Sequence, residues 1–187
     1  MTVWRRVVSI DQAILLSVRR WESALMTRLM RTLTHLGDTA SWMVTGLVLA
    51  AAGHPRWCAL LATGAGLAVV VSQVLKRLCC RARPSCGLGG FAALVENPDA
   101  FSFPSGHTAA AFGIAMALAG EGTALGALVL VLATGIALSR IYLGAHYPLD
   151  VAAGVIVGSL SGLAARLLIG SLIDEPLAGY AILALGV

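Results

Sequence analysis

Between residues 38 and 170 the chain alternates long apolar runs with short polar breaks. Five runs stand out, at 38–53, 57–78, 105–120, 123–140 and 148–170. The breaks Gly53-His54-Pro55, Gly120-Glu121-Gly122 and His146-Tyr147-Pro148 are made of turn formers. Runs of this length predict membrane-crossing helices, although the first and third fall short of the roughly 20 residues that a bilayer needs. Small residues recur inside them, at Gly64, Gly66, Ala109, Ala110, Gly154 and Gly158, which predicts helices packed closely on one another.

The first 36 residues follow a different pattern. Ile14, Val18, Trp21, Leu25, Leu29, Leu33 and Leu36 recur at helical spacing, but Arg19, Arg20, Glu22, Arg28 and Arg31 interrupt any apolar run. A spanning helix would bury these arginines at high cost, so the segment is expected to lie in the membrane interface as an amphipathic helix. Its apolar stretch at 13–16 is too brief for a cleavable signal peptide. Near the other end, Asp174-Glu175-Pro176 is expected to interrupt the last helix, leaving an apolar tail at 177–187 too short to span alone.

Composition agrees with a membrane protein. Of 187 residues, 58% are hydrophobic and 12% charged, about half the charged share of a soluble domain, and the net charge of +4 is scattered. No basic stripe for nucleic acid is visible, and none is expected as a partner. The expected fold is therefore all-α: a polytopic membrane bundle of five to six helices with an N-terminal interfacial helix. One domain covers 1–187, with 1–36 as the interfacial segment and 38–170 as the core. The oligomeric state is not legible.

The order of the runs places the polar residues. Lys76, Arg77, Arg81 and Arg83 follow the second run, and Ser105 and His107 open the third. Ser139 and Arg140 close the fourth, while His146 and Asp150 open the fifth. Consecutive spans alternate direction, so all of these meet on one membrane face. Fixed cations with few nearby acids suit an oxyanion, and arginine forks match phosphate. Pro104-Ser105-Gly106 opens a helix, where Ser105 can cap and free N–H groups add anion affinity. A neutral imidazole can attack phosphorus and a protonated one can expel the leaving oxygen. Asp150, four residues after His146, suits that histidine as nucleophile. The sequence shows no such carboxylate near His107, which suits the acid role.

The three segments KRLCCRARP (76–84), PSGH (104–107) and SRIYLGAHYPLD (139–150) resemble the signature motifs of the type 2 phosphatidic acid phosphatase family. That family shares its site with vanadium haloperoxidases and bacterial acid phosphatases. The resemblance implies a lipid phosphatase hydrolysing a phosphate monoester or diphosphate through a phosphohistidine. It implies Lys76, Arg83, Arg140, Ser105 and Gly106 as the phosphate cradle, His146 as nucleophile, Asp150 as its orienting partner and His107 as acid. No metal and no other cofactor are implied. It also places the site on the extracytoplasmic face of a bacterial inner membrane, with a phospholipid or polyprenyl phosphate in the bilayer as substrate.

Each residue alone has a blander reading: a cation at a helix end often just snorkels, and an aspartate after a proline often caps. Three matched spacings on one face favour the joint reading. Arg77 and Arg81 fit no motif position and are expected at the interface or behind the site. His35 and His54 are expected to take no catalytic part. Cys86 could pair with Cys79 or Cys80 on an oxidising face, whereas a zinc site lacks its spacing. Phe91, Leu94, Val95, Phe101 and Phe103 could line a lipid entry. Polyprenyl diphosphate, phosphatidic acid and phosphatidylglycerol phosphate all remain open as substrates. A transporter or channel is the alternative, but its charges should sit at mid-span.

Overall fold

The computed structural model describes residues 3–96 and 99–184. Among them are eight helices: α1 (Val3–Arg19), α2 (Ala24–Leu36), α3 (Thr39–Ala51), α4 (Pro55–Cys79), α5 (Pro84–Gly87), α6 (Gly106–Leu118), α7 (Thr123–Tyr142) and α8 (Pro148–Ala184). The described residues form no strand, only one isolated bridge between Ala82 and Phe101. All five apolar runs are helical, and the all-α expectation holds. Among the described residues, three helices are long and apolar enough to cross a membrane, at Pro55–Cys79, Ala124–Tyr142 and Pro148–Leu172.

Two boundaries differ from expectation. The N-terminal segment is two helices, because the chain turns at 20–23 and Ser23 restarts it as an N-cap, accepting from Met26 N at 3.3 Å. The last helix runs on through Pro176 to Ala184 rather than stopping at Asp174. A proline removes one ladder bond and crowds the preceding turn, and the long helix continues past it. Residues 185–187 of the expected tail lie outside the described residues.

The hub is α6. It is apolar on every side and buried over most of its length, and it packs against α4, α7 and α8. Glycine makes the closest crossings possible. A methyl group added at Gly64 would stand 2.7 Å from Gly113 O, and one at Gly113 would stand 2.6 Å from Gly64 O, so α4 and α6 meet backbone to backbone. On α8, Gly154, Gly158 and Gly162 present the same bare face to Ser105 O, Ala109 O and Gly113 O. Between apolar helices in lipid, such close packing replaces the hydrophobic drive of water. It also holds the first turns of α6 and α8 side by side, where Ser105 N donates to Asp150 O at 2.9 Å.

The N-terminal helices are more than an interfacial skirt. α2 packs on α7, and α1 touches α7 and α8 with Leu15 fully buried. Arg19 donates to Ala92 O at 2.9 Å and lies over the Phe91 ring, while Arg31 donates to Leu94 O. These arginines tie down the loop after α5.

Candidate active site

A cavity of about 560 Å³ lies between α3, α4 and α6 and is capped by the loops at one end of the bundle. Lys76, Arg83, Gly106, His107, Arg140 and His146 all line that end. Six of the eight residues expected from sequence therefore share one wall. The other two, Ser105 and Asp150, are fully buried behind it.

Each cation is placed by its helix and gripped by the protein. Lys76 closes α4 and donates to Phe101 O at 2.8 Å. Arg83 donates to Ala145 O and to Asp99 O, both at 2.8 Å. Arg140, on the last turn of α7, donates to Thr34 Oγ1 at 2.6 Å. All three are nearly inaccessible. Buried cations converging on a cavity demand an anion, because their desolvation is otherwise uncompensated. In this structure part of that demand is met by Asp99, whose carboxylate bonds both Lys76 and Arg83. Burial would raise the Asp99 pKa, but the Arg83 bond and the charge of Lys76 hold it below the usual carboxylate range.

His146 sits in the turn between α7 and α8. Its Nδ1 is 2.7 Å from Ser102 O, an acceptor only, so Nδ1 carries the hydrogen. The lone pair is then on Nε2, which stands 3.4 Å from Arg83 Nη1 at the cavity. Burial first, then the charges of Arg140 and Arg83, push the His146 pKa down to about 3 against the opposing pull of Asp150, so the ring is neutral at ordinary pH. A neutral imidazole with its lone pair facing a cationic pocket is what an attack on phosphorus requires.

Asp150 orients this ring less directly than the spacing suggested. Its Oδ2 lies 3.8 Å from His146 Nδ1, and the shorter bond belongs to the Ser102 carbonyl. Asp150 instead accepts from the Ser102 hydroxyl and from Tyr147 N at 2.9 Å. It thus supplies charge at the ring's far side and fixes the residue that sets the tautomer. Ser102 carries no motif signal. It is held by its own N–H, which donates to Arg81 O at 2.8 Å beside the isolated bridge.

The environment of His107 corrects the sequence reading outright. Asp38, at the α2–α3 junction, lies 2.8 Å from His107 Nε2, and its other oxygen is 3.0 Å from His35 Nδ1. Both are far from His107 in sequence, so no spacing announces them. His35, expected to be a bystander, is one carboxylate away from the site.

Ser105 occupies the N-cap position of α6, but its side chain makes no cap bond. The hydroxyl instead accepts from Thr108 Oγ1 at 2.9 Å. At Gly106 an added methyl would meet nothing within 4 Å, so the backbone there faces open cavity. The four cysteines are free, and Cys86 pairs with neither Cys79 nor Cys80. None of Phe91, Leu94, Val95, Phe101 and Phe103 lines the cavity: Phe91 packs against Gly144 under Arg19, and Leu94 N donates to Leu143 O. The cavity runs down α4 instead, from Lys76 to Cys58, with Trp42, Met43 and Leu47 of α3 opposite.

Comparison with known proteins gives a consistent picture. Residues 57–173 match the model of the PAP2 superfamily. A decaprenylphosphoryl-5-phosphoribose phosphatase of Mycobacterium tuberculosis is 39% identical over 135 residues, covering 71% of this chain and 74% of its own. Two crystal structures share the fold. LpxE of Aquifex aeolicus superposes with a TM-score of 0.76 at 27% identity, covering 83% of this chain and 94% of that one. A transmembrane PAP2 type phosphatidylglycerolphosphate phosphatase of Bacillus subtilis gives 0.73 at 25% identity, covering 91% and 87%.

Proposed function

The chain belongs to the PAP2 superfamily, and from that premise we propose that it dephosphorylates a membrane lipid through a phosphohistidine formed on His146. One observation carries the mechanism: Nδ1 of a neutral His146 is bound to a carbonyl, which turns Nε2 toward three buried cations. Lys76, Arg83, Arg140 and the Gly106 N–H hold the non-bridging oxygens. His146 Nε2 forms a bond to phosphorus as the bond to the leaving oxygen breaks, and His107 gives that oxygen a proton. Water, giving its proton to the now neutral His107, then attacks the phosphohistidine and releases inorganic phosphate. Asp150 offsets the positive charge on the phosphorylated ring. Ser105 serves through its backbone, which sets the Gly106 N–H, rather than through its hydroxyl. With three cations neutralising the phosphoryl oxygens, no step calls for a metal.

The groove supports a lipid substrate. From Lys76 to Cys58 along α4 is about 27 Å at 1.5 Å per residue, enough for much of an acyl or prenyl chain. Burial of about 0.8 kcal/mol per CH₂ lets such a tail supply most of the affinity. Of the classes open from sequence, a polyprenyl-linked phosphate is the one we favour, because the mycobacterial relative is named for one. We place the site on the extracytoplasmic face of a bacterial inner membrane.

The mechanism is tested by denaturing the enzyme during turnover of a ³²P-labelled lipid phosphate. An acid-labile, base-stable adduct that His146→Ala lacks is expected. An adduct that persists in that variant would reassign the nucleophile. Phosphate release from decaprenyl, undecaprenyl and diacyl lipid phosphates in mixed micelles ranks the substrates.

A further inference from the structure

Asp150 has a third partner that neither the motifs nor the mechanism uses. Arg81 Nη1 donates to Asp150 Oδ1 at 2.7 Å, and Arg81 Nη2 donates to Asp11 Oδ2 at 2.6 Å. The guanidinium also lies 4.3 Å over the Tyr147 ring, between the two carboxylates. Asp11 belongs to α1 and is 2% exposed, and its second oxygen accepts from Leu149 N at 2.9 Å. It lies outside residues 57–173, the part of the chain that matches the family model.

We infer that Asp11 and Arg81 are positioning residues for the His146–Asp150 pair, which makes the N-terminal helix part of the catalytic unit. This rests on His146 as the nucleophile. Arg81 holds Asp150 so that its Oδ2 faces the imidazole. Taken alone, however, Arg81 would cancel the charge that Asp150 must present to a phosphorylated ring. Asp11 restores it: Asp11, Arg81 and Asp150 together carry one net negative charge, directed at His146 through Asp150. Two carboxylates on one guanidinium also use both arms of its fork, which a lysine cannot imitate. Asp11 further caps the first turn of α8, through Leu149 N, and so fixes the backbone that carries Asp150.

Asp11→Asn separates positioning from packing, because asparagine keeps an acceptor for Leu149 N while an amide NH₂ replaces the oxygen that accepts from Arg81, so the charge and the Arg81 bond are lost together. With p-nitrophenyl phosphate as probe, kcat is expected to fall about tenfold, with KM within about twofold and an unchanged melting temperature in detergent. Asp11→Glu should recover part of the loss. In an Arg81→Gln background, Asp11→Asn should then cost less than about twofold, since Asp11 acts through Arg81. A wild-type kcat in Asp11→Asn, or losses that multiply in full in the double variant, would overturn the inference. So would a loss that merely follows a lowered melting temperature. His146→Ala in the same assay keeps the premise separate: if it still turns over, the nucleophile is wrong whatever Asp11 does.

Discussion

His107 Nε2 donates to Asp38 Oδ1 across 2.8 Å, which ties the first turn of α6 to the start of α3. In the proposed mechanism the carboxylate takes the hydrogen of one ring nitrogen and leaves the other proton for the leaving oxygen, its charge opposing the burial and the Arg140 charge that favour the neutral ring. Asp38 itself stays ionised: burial pushes its pKa up, but the bonds from His35 and His107 bring it below the usual carboxylate range.

The pair should therefore show itself through the leaving group. A lipid alkoxide departs poorly, so His107→Ala should lose roughly 10²–10⁴-fold in single-turnover rate on a lipid monophosphate and far less on p-nitrophenyl phosphate. Asp38→Asn should follow the same pattern with a smaller loss, about tenfold on the lipid. Equal losses on both substrates would remove His107 and Asp38 from leaving-group chemistry.

Why Asp38 was invisible in the sequence is a question of distance. The convergence of Lys76, Arg83, Arg140 and His146 was legible because alternating spans put their ends on one face, and motif spacing did the rest. Asp38, Thr34, Asp11 and Ser102 reach the site from loops or from the first two helices, through contacts that no periodicity encodes. The bonds of Arg19 and Arg31 to the carbonyls of Ala92 and Leu94 are long-range contacts of the same kind. The helices themselves were plain, since apolar runs bounded by glycine and proline leave few choices. Asp174-Glu175-Pro176 suggests a break that α8 does not take, because local charge and a proline do not outweigh a long helix already under way.

Acidity provides a second test, with a definite sign. If His146 is the nucleophile we propose, protonating it blocks attack, and burial holds that proton off until pH nears 3, well below the usual histidine value. The kcat for p-nitrophenyl phosphate should therefore stay flat as pH falls from 7 to 5. A steep loss centred near pH 6.5, the ordinary imidazole value, would show that His146 is not held neutral.

Packing makes a third prediction, by contrast between two glycines. A methyl group at Gly158 would stand 2.3 Å from Ala109 O and 2.9 Å from Phe112 Cβ, so Gly158→Ala must part α8 from α6. A cost of about 1–3 kcal/mol is expected, with lost activity because Ser105 and Asp150 sit at the ends of those helices. Gly66, where an added methyl meets nothing within 4 Å, should accept alanine with a gain of about 0.5–1 kcal/mol. Thermal unfolding in one detergent compares the two. A neutral Gly158→Ala would mean that the helices have room that the geometry denies.

The cradle itself offers the last test. In the proposed mechanism Lys76, Arg83 and Arg140 do the neutralising, so hydrolysis should survive excess EDTA. Orthovanadate should inhibit, because a five-coordinate vanadate bonded to His146 mimics the transferring phosphoryl group. Asp99 competes for the same place, since its ionised carboxylate already bonds Lys76 and Arg83. A phosphate or vanadate that enters must displace it. Asp99→Asn should then tighten inhibition by both anions by roughly two- to tenfold, the scale of one or two partly exposed ion pairs. The effect should shrink at high salt, which screens the competing charge. An unchanged inhibition constant would mean that the phosphoryl group binds beside Asp99 rather than in its place, and weaker inhibition would make Asp99 a support for the two cations.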